Sequence, residues 1–304
     1  MNMEVFAARV CAAVGKNLGG GVCTEVKKVR KNNGILLHGL MISSEGQTVV
    51  PTIYLESYLE ACESGTPFEE VICSLLAIYQ KGTPQGNIDM EFFRHYGAVK
   101  DKICYRLIGR KGNEALLDEM PHVDFLDMAI CFYYAYQGET LGEGSILIHN
   151  SHMEMWKVSV ADLLAVAREN TPQLLPWECS GIKEILNELE GADMDGSGLE
   201  MGDGMEESSQ EFPMKILSNK KKLYGASCIL YPGVLEEIAG EGKSLYIIPS
   251  SMHETILLPY DKVKSAVYLK MIIYEMNRTQ VAPEEVLSDS LYYYDSSRKE
   301  VVLA

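Results

Sequence analysis

Between Glu190 and Glu211 the chain carries eight acids and no base: Glu190, Asp193, Asp195, Glu200, Asp203, Glu206, Glu207 and Glu211. The stretch is rich in glycine and, methionine aside, nearly free of large apolar side chains. Such a segment repels itself and has little to bury, so it reads as a solvated linker or a surface insertion rather than as core. It divides the 304 residues into two patterned parts. The expectation is a larger α+β unit over 1–190, an acidic glycine-rich linker over 191–211 and a smaller α+β unit over 212–304. The same stretch supplies half of the net charge of −16. Acidity of this kind favours solubility and argues against nucleic-acid binding.

Outside that stretch the apolar residues follow clear periods. Glu4 to Leu18 has helical spacing and runs into Gly19, Gly20 and Gly21, which stop a helix. Val22 to Val29 and Ile35 to Ile42 are β-like, and Asn32, Asn33 and Gly34 between them suit a hairpin turn with positive φ. Thr66, Pro67 and Glu69 form a capping box ahead of Phe68, Val71, Ile72, Leu75, Leu76 and Tyr79, one apolar helical stripe. Asp89 to Tyr96 suggests a short helix, and Ile103 to Ile108, Phe125 to Tyr136 and Ser145 to His149 suggest strands. Ser159 and Asp162 cap a helix over about Val160 to Asn170, and Ile182 to Leu189 reads as another short one.

After the acidic stretch, Lys215 to Leu217 and Ser227 to Leu230 look extended, and Leu245 to Ile248 and Thr255 to Leu258 read as strands. Val234 to Ala239 is helical in pattern. Asp261 can cap a helix on which Val263, Val267, Met271 and Tyr274 share a face. Because strands and helices do not alternate strictly, the fold class is α+β, with mainly antiparallel sheets and packed helices.

Apolar residues make up 47% of the chain, enough for a sizeable core. The longest mostly apolar stretch, Met128 to Tyr136, is of strand length and far short of a membrane span. The N-terminal segment contains Glu4 and Arg9 and lacks the pattern of a signal peptide, so a cytoplasmic protein is expected. The eight cysteines are scattered singly with no C-x-x-C pair, as reduced core thiols are.

Four stretches invite a functional reading. Gly242-Lys243-Ser244 resembles the end of a phosphate loop, but the glycine required five residues earlier is Glu237 and the element order is helix, loop, strand. Asp193-Met194-Asp195-Gly196 opens like a calcium loop, yet its twelfth position is Gly204 instead of a bidentate Glu. His149 and His152, with Glu154 nearby, are residue types that zinc takes, so they are candidate metal ligands. Pro249-Ser250-Ser251-Met252-His253-Glu254 joins two apolar runs and holds the parts of a nucleophilic triad. In a hydrolase reading His253 is the base, Ser250 or Ser251 the nucleophile and Glu254 the orienting carboxylate. The simpler alternative has these side chains hydrogen-bonding backbone in a tight connection. The basic clusters Lys27, Lys28, Arg30, Lys31 and Lys220, Lys221, Lys222 sit near turns without interleaved aromatics, and solvation explains them.

Several phrases resemble a family of uncharacterised bacterial proteins, a domain of unknown function frequent in anaerobic gut bacteria. They are Asn32-Asn33-Gly34, Pro51-Thr52-Ile53-Tyr54-Leu55-Glu56, Gly225-Ala226-Ser227, Pro249 to Glu254, and Asn277 to Asp289. The resemblance covers nearly the whole chain apart from the acidic stretch. It departs mildly at Met252, where isoleucine is expected. It implies a bacterial cytoplasmic protein and brings no activity, cofactor or catalytic residue. The reading is therefore a non-catalytic interaction or regulatory protein with a protein partner, no cofactor and no nucleic acid. The alternatives are the Ser/His/Glu hydrolase and a metal- or small-ligand-binding protein.

Overall fold

The Asn-Asn-Gly turn forms as its residue types require: Asn33 and Gly34 take φ of 60° and 69° between two paired strands. These are β1 (Val22–Arg30) and β2 (Leu36–Ser44), antiparallel from Val22 opposite Ser44 to Arg30 opposite Leu36. A computed structural model of the chain describes residues 1–44, 50–82, 91–138, 142–181, 214–263 and 265–304. They form two compact units, Met1–Val99 with Ala135–Ile146, and Lys100–Tyr134 with Leu147–Ala304. The acidic stretch 191–211 and the helix expected over Ile182 to Leu189 lie outside the described residues, as does the calcium-like loop.

In the first unit β3 (Thr52–Tyr54) completes a three-stranded sheet, order β1-β2-β3. Helices α1 (Met3–Leu18), α2 (Glu56–Glu63) and α3 (Phe68–Gly82) accompany it. The stripe on α3 goes where its period points: Val71, Ile72 and Leu75 are buried with Phe6, Val10, Leu40 and Ile42, while Phe68, Leu76 and Tyr79 pack at the margin. Residues 91–99 are tighter than the expected helix, a 3-10 turn at Glu91–Arg94 followed by α4 (Tyr96–Val99).

The second unit is built on two antiparallel sheets. One contains β4 (Ile103–Gly109), β5 (His122–Phe125) and β6 (Met128–Gly138), in the order β4-β6-β5; from Ala135 on β6 falls in the first unit, to which residues 142–146 of its partner β7 (Gly142–Leu147) also belong. Two short helices, α5 (Glu114–Leu117) and α6 (Asn150–Trp156), adjoin it in sequence. Every residue of β4 is buried, which is why this strand reads as an apolar run rather than an alternation. The Thr171 hydroxyl of α7 (Val160–Leu174) ties helix to strand, accepting from Tyr105 N–H at 3.1 Å and donating to the Ala167 carbonyl at 2.5 Å.

The other sheet has six strands in the order β13-β12-β10-β11-β9-β8. They are β8 (Trp177–Gly181), β9 (Lys215–Asn219), β10 (Leu245–Ile248), β11 (Thr255–Pro259), β12 (Tyr292–Asp295) and β13 (Glu300–Leu303). β8 and β9 pair directly, Gly181 opposite Lys215. Between β9 and β10 lies α8 (Val234–Ala239). Helix α9 (Ala266–Thr279) packs Leu269 and Ile273 onto Ile248, Leu258 and Leu291.

Two expectations in this unit need correction. Ser227 to Leu230 is not extended but part of a buried 3-10 helix, Gly225–Leu230. Its entry is a close crossing in which a β-carbon on Gly225 would collide with the Ser218 hydroxyl and the His253 carbonyl, so the chain turns there instead of pairing. The last helix starts later than Asp261, with the Ser265 hydroxyl accepting the Tyr268 N–H, and it turns the other face inward. Leu269, Ile273 and Asn277 are buried, whereas Val267, Met271 and Tyr274 are 69%, 64% and 56% exposed.

Candidate functional site

The connection 249–254 between β10 and β11 is held by its own polar groups. Ser251 N–H donates to the Glu254 carbonyl at 3.3 Å and His253 N–H to the Ser251 hydroxyl at 3.0 Å, the local side-chain-to-backbone pattern of a tight turn. Ser250 donates to the Glu254 carboxylate at 3.4 Å. The loop is tied to its surroundings through the Ser218 hydroxyl, which donates to the His253 carbonyl at 2.8 Å. Met252 N–H donates to the Glu285 carbonyl at 2.9 Å. The Met252 side chain is buried among Ile108, Met120, Ala129 and Cys131, an apolar position that explains why the swap from isoleucine is mild.

His253 therefore sits on a fixed support, but its partners are not the expected ones. Its Nδ1 lies 3.2 Å from both the Tyr224 amide and the Lys222 carbonyl, so it accepts from the one or donates to the other according to its tautomer. Its Nε2 faces Glu285 at 3.8 Å, and Glu285 takes the place expected for Glu254. Among the described hydrogen bonds none joins the Ser250 or Ser251 hydroxyl to the imidazole, the link on which a nucleophile–base pair depends.

Tyr224, in the left-handed region at φ 54°, is the hub that the sequence did not signal. Its ring stacks on His253 with centroids 5.8 Å apart and planes at 15°, and meets Tyr133 edge-on at 5.2 Å. The Arg106 guanidinium carbon lies 4.9 Å from the same ring. Arg106 pairs with Cys131, and Cys104 with Tyr133, so these four side chains share one face of the β4–β6 pair. Arg106 is only 7% exposed. Its Nε is buried without a hydrogen-bond partner. The Tyr133 hydroxyl is also buried without a well-formed hydrogen bond, with only the weakly polar Cys104 thiol beside it. Burial pushes the Cys104 thiol up to about 11 and the Cys131 thiol up to about 12, which keeps both protonated and inert.

The histidine pair lies apart from this stack in its bonding. His152 Nδ1 accepts the His149 N–H at 3.0 Å at the start of α6, and its ring stacks on Trp156 at 5.6 Å. Burial first, and His149 second, hold the His152 imidazole below its ordinary value of 6.5. The two rings are 5.7 Å apart, and among the described residues no group of three or more His, Cys, Asp or Glu is placed to hold a metal ion. Gly242-Lys243-Ser244 runs from α8 into β10, with no helix N-terminus following it, and Ser244 bonds the Ser296 hydroxyl at 3.1 Å.

The fold and this cluster define an α+β protein on open antiparallel sheets, with an Arg–Tyr–His stack in its larger unit. No described helix is long and apolar enough to cross a membrane. The chain belongs to a family of unknown function (DUF5688), whose model matches residues 3–296. No curated protein and no solved structure matches the chain.

Proposed function

We propose that this is a non-catalytic interaction protein that self-associates through the outer face of α9. The observation that carries the reading is the exposed stripe Val267, Met271 and Tyr274, continued by Arg278. The spacing of four, three and four residues is that of a coiled-coil seam, which calls for another helix against it. The flanking charges choose the occupant. Lys270 and Glu275 lie on opposite sides of the seam, five residues apart, so a second copy running parallel would set each lysine against the other copy's glutamate. Arg278, on the seam itself, already lies over the Tyr274 ring at 3.2 Å and reaches Asp289 at 3.6 Å, so its charge is partly met within its own chain.

A helix of this length is about 21 Å long, which suits a weak, reversible contact rather than a permanent dimer. The alternative, hydrolysis at Ser250 or Ser251, has less support because among the described hydrogen bonds neither hydroxyl reaches the His253 imidazole. Sedimentation velocity over a concentration series tests the reading. The wild type should shift from monomer towards dimer as concentration rises. Met271→Glu should stay monomeric while its stability changes by no more than roughly 0.5 kcal/mol, as for surface substitutions generally. A wild type that remains monomeric at the highest concentrations refutes it.

A further inference from the structure

We propose that Arg106 anchors a binding site for a small oxyanion, a carboxylate or a phosphate group. The inference is independent of self-association through α9 and starts from β4, Ile-Cys-Tyr-Arg-Leu-Ile-Gly, in which one charged residue stands in a wholly buried strand. A guanidinium keeps its charge in proteins, and a buried charge is normally met by an opposite one with hydrogen bonds to it. Arg106 makes no ion pair with a described carboxylate, and its buried Nε has no acceptor. Three carboxylates of the unit are engaged elsewhere: Asp127 takes the hydroxyls of Ser288, Ser290 and Tyr292, Glu178 pairs with Lys222, and Glu254 accepts from Ser250. The Tyr224 ring offers its π face at 4.9 Å, which steadies a cation but accepts none of its N–H bonds.

The second unmet group points to the same chemistry. Tyr133 is on the same face of the β4–β6 pair as Arg106, and its hydroxyl is a donor with no oxygen to donate to. Both side chains contact Tyr224: the Arg106 guanidinium lies over its ring, and the Tyr133 ring meets it at a steep angle with centroids 5.2 Å apart. An oxyanion supplies what each lacks: a negative charge with acceptor oxygens for the guanidinium fork, and a further oxygen for the phenol. The stack on His253, which is 28% exposed, connects this buried face with the unit's surface.

Thermal melts of the full chain test the site, with inorganic phosphate or acetate titrated against sodium chloride at matched ionic strength. Binding to the folded form should raise the melting temperature saturably with at least one anion. Response to phosphate alone identifies a phosphate site, and response to acetate a carboxylate site. Arg106→Met should abolish the shift and, without anion, melt no lower than wild type, because an unpaired buried charge has been replaced by an apolar chain of similar length. Tyr133→Phe should fold as wild type yet weaken the anion response several-fold. The proposal is overturned if neither anion gives a saturable shift or if Arg106→Met responds as the wild type does. It also falls if Arg106→Met melts well below wild type without anion, which would make Arg106 a structural partner of Tyr224.

Discussion

Asp127 offers the sharpest test of how the larger unit is held together. It follows Leu126, which is in the left-handed region at φ 57°, in the turn between β5 and β6. Its carboxylate accepts three hydroxyls: Ser288 at 2.7 Å, Ser290 at 2.9 Å and Tyr292 at 2.6 Å. It thus bonds residues from the start of β12 and the segment before it to a turn more than 160 positions earlier in sequence. Tyr292 is 1% exposed, so its hydroxyl has no water to fall back on. Burial first, and the Asp127 carboxylate next, push the Tyr292 phenol well above its ordinary value, which keeps it a donor. Hydrogen bonds to a charged group contribute about 1.5–3 kcal/mol each, and the half-buried setting puts these at the lower end. Asp127→Ala should therefore cost about 4 kcal/mol, and Asp127→Asn, which keeps one acceptor oxygen, about 2 kcal/mol. At about 2–4 °C per kcal/mol the alanine variant should melt about 8–16 °C lower. Urea unfolding followed by circular dichroism measures the free energy, and a cycle with Tyr292→Phe isolates the shared term, expected to be about 1 kcal/mol or more. An Asp127→Ala variant within about 0.5 kcal/mol of wild type, or strictly additive single changes, would refute the clamp.

Two further predictions concern titration and reactivity. His152 binds protons less readily when folded than when unfolded, so the unfolded chain takes up more protons and stability must fall as pH drops below the ordinary imidazole value of 6.5. Melts between pH 7 and pH 5 should show that loss, and His152→Gln should flatten part of it; an unchanged slope would contradict the assignment. Among the thiols, Cys23 and Cys73 are exposed, whereas burial pushes Cys104 to about 11 and Cys131 and Cys228 to about 12. Ellman's reagent at pH 8 should label the exposed pair fast and leave the buried three unlabelled until denaturant is added, with mass spectrometry assigning the sites.

Much of the fold was legible because local chemistry and tertiary demand agree. Asn33 and Gly34 accept the positive φ that their hairpin needs, and Val71, Ile72 and Leu75 fall on the side of α3 that meets α1. Strands β4, β10 and β11 announce themselves as apolar runs of the right length. Where two local answers were equally good, the sequence could not choose. Helix α9 carries one apolar stripe through Leu269 and Ile273 and another through Val267, Met271 and Tyr274, and only the six-stranded sheet decides which is covered. Ser227 to Leu230 is apolar enough for a strand, but the crossing at Gly225 is a contact with β9 and the loop at His253 that no neighbouring residue reports.

The candidate site was half legible for the same reason. The loop with Ser250, Ser251, His253 and Glu254 was found from its composition, yet the groups facing His253 are Tyr224, 29 positions away, and Glu285, which lies beyond α9. Arg106 left one readable trace, a charge in an otherwise apolar strand, and its meaning depended on knowing that nothing pairs with it.

The pairing of β8 with β9 makes the protein's longest acidic stretch topologically dispensable to the sheet. Gly181 and Lys215 are register partners, so the chain leaves and re-enters the strand ladder at adjacent points, about 4.8 Å apart in the hydrogen-bonding direction. Whatever joins them need span only one strand spacing, and the entropic cost of closing such a loop grows slowly with its length. The sheet thus places little constraint on the length or composition of 182–213. It is the natural position at which to shorten the chain, open it for circular permutation or graft in a reporter while leaving every strand in register.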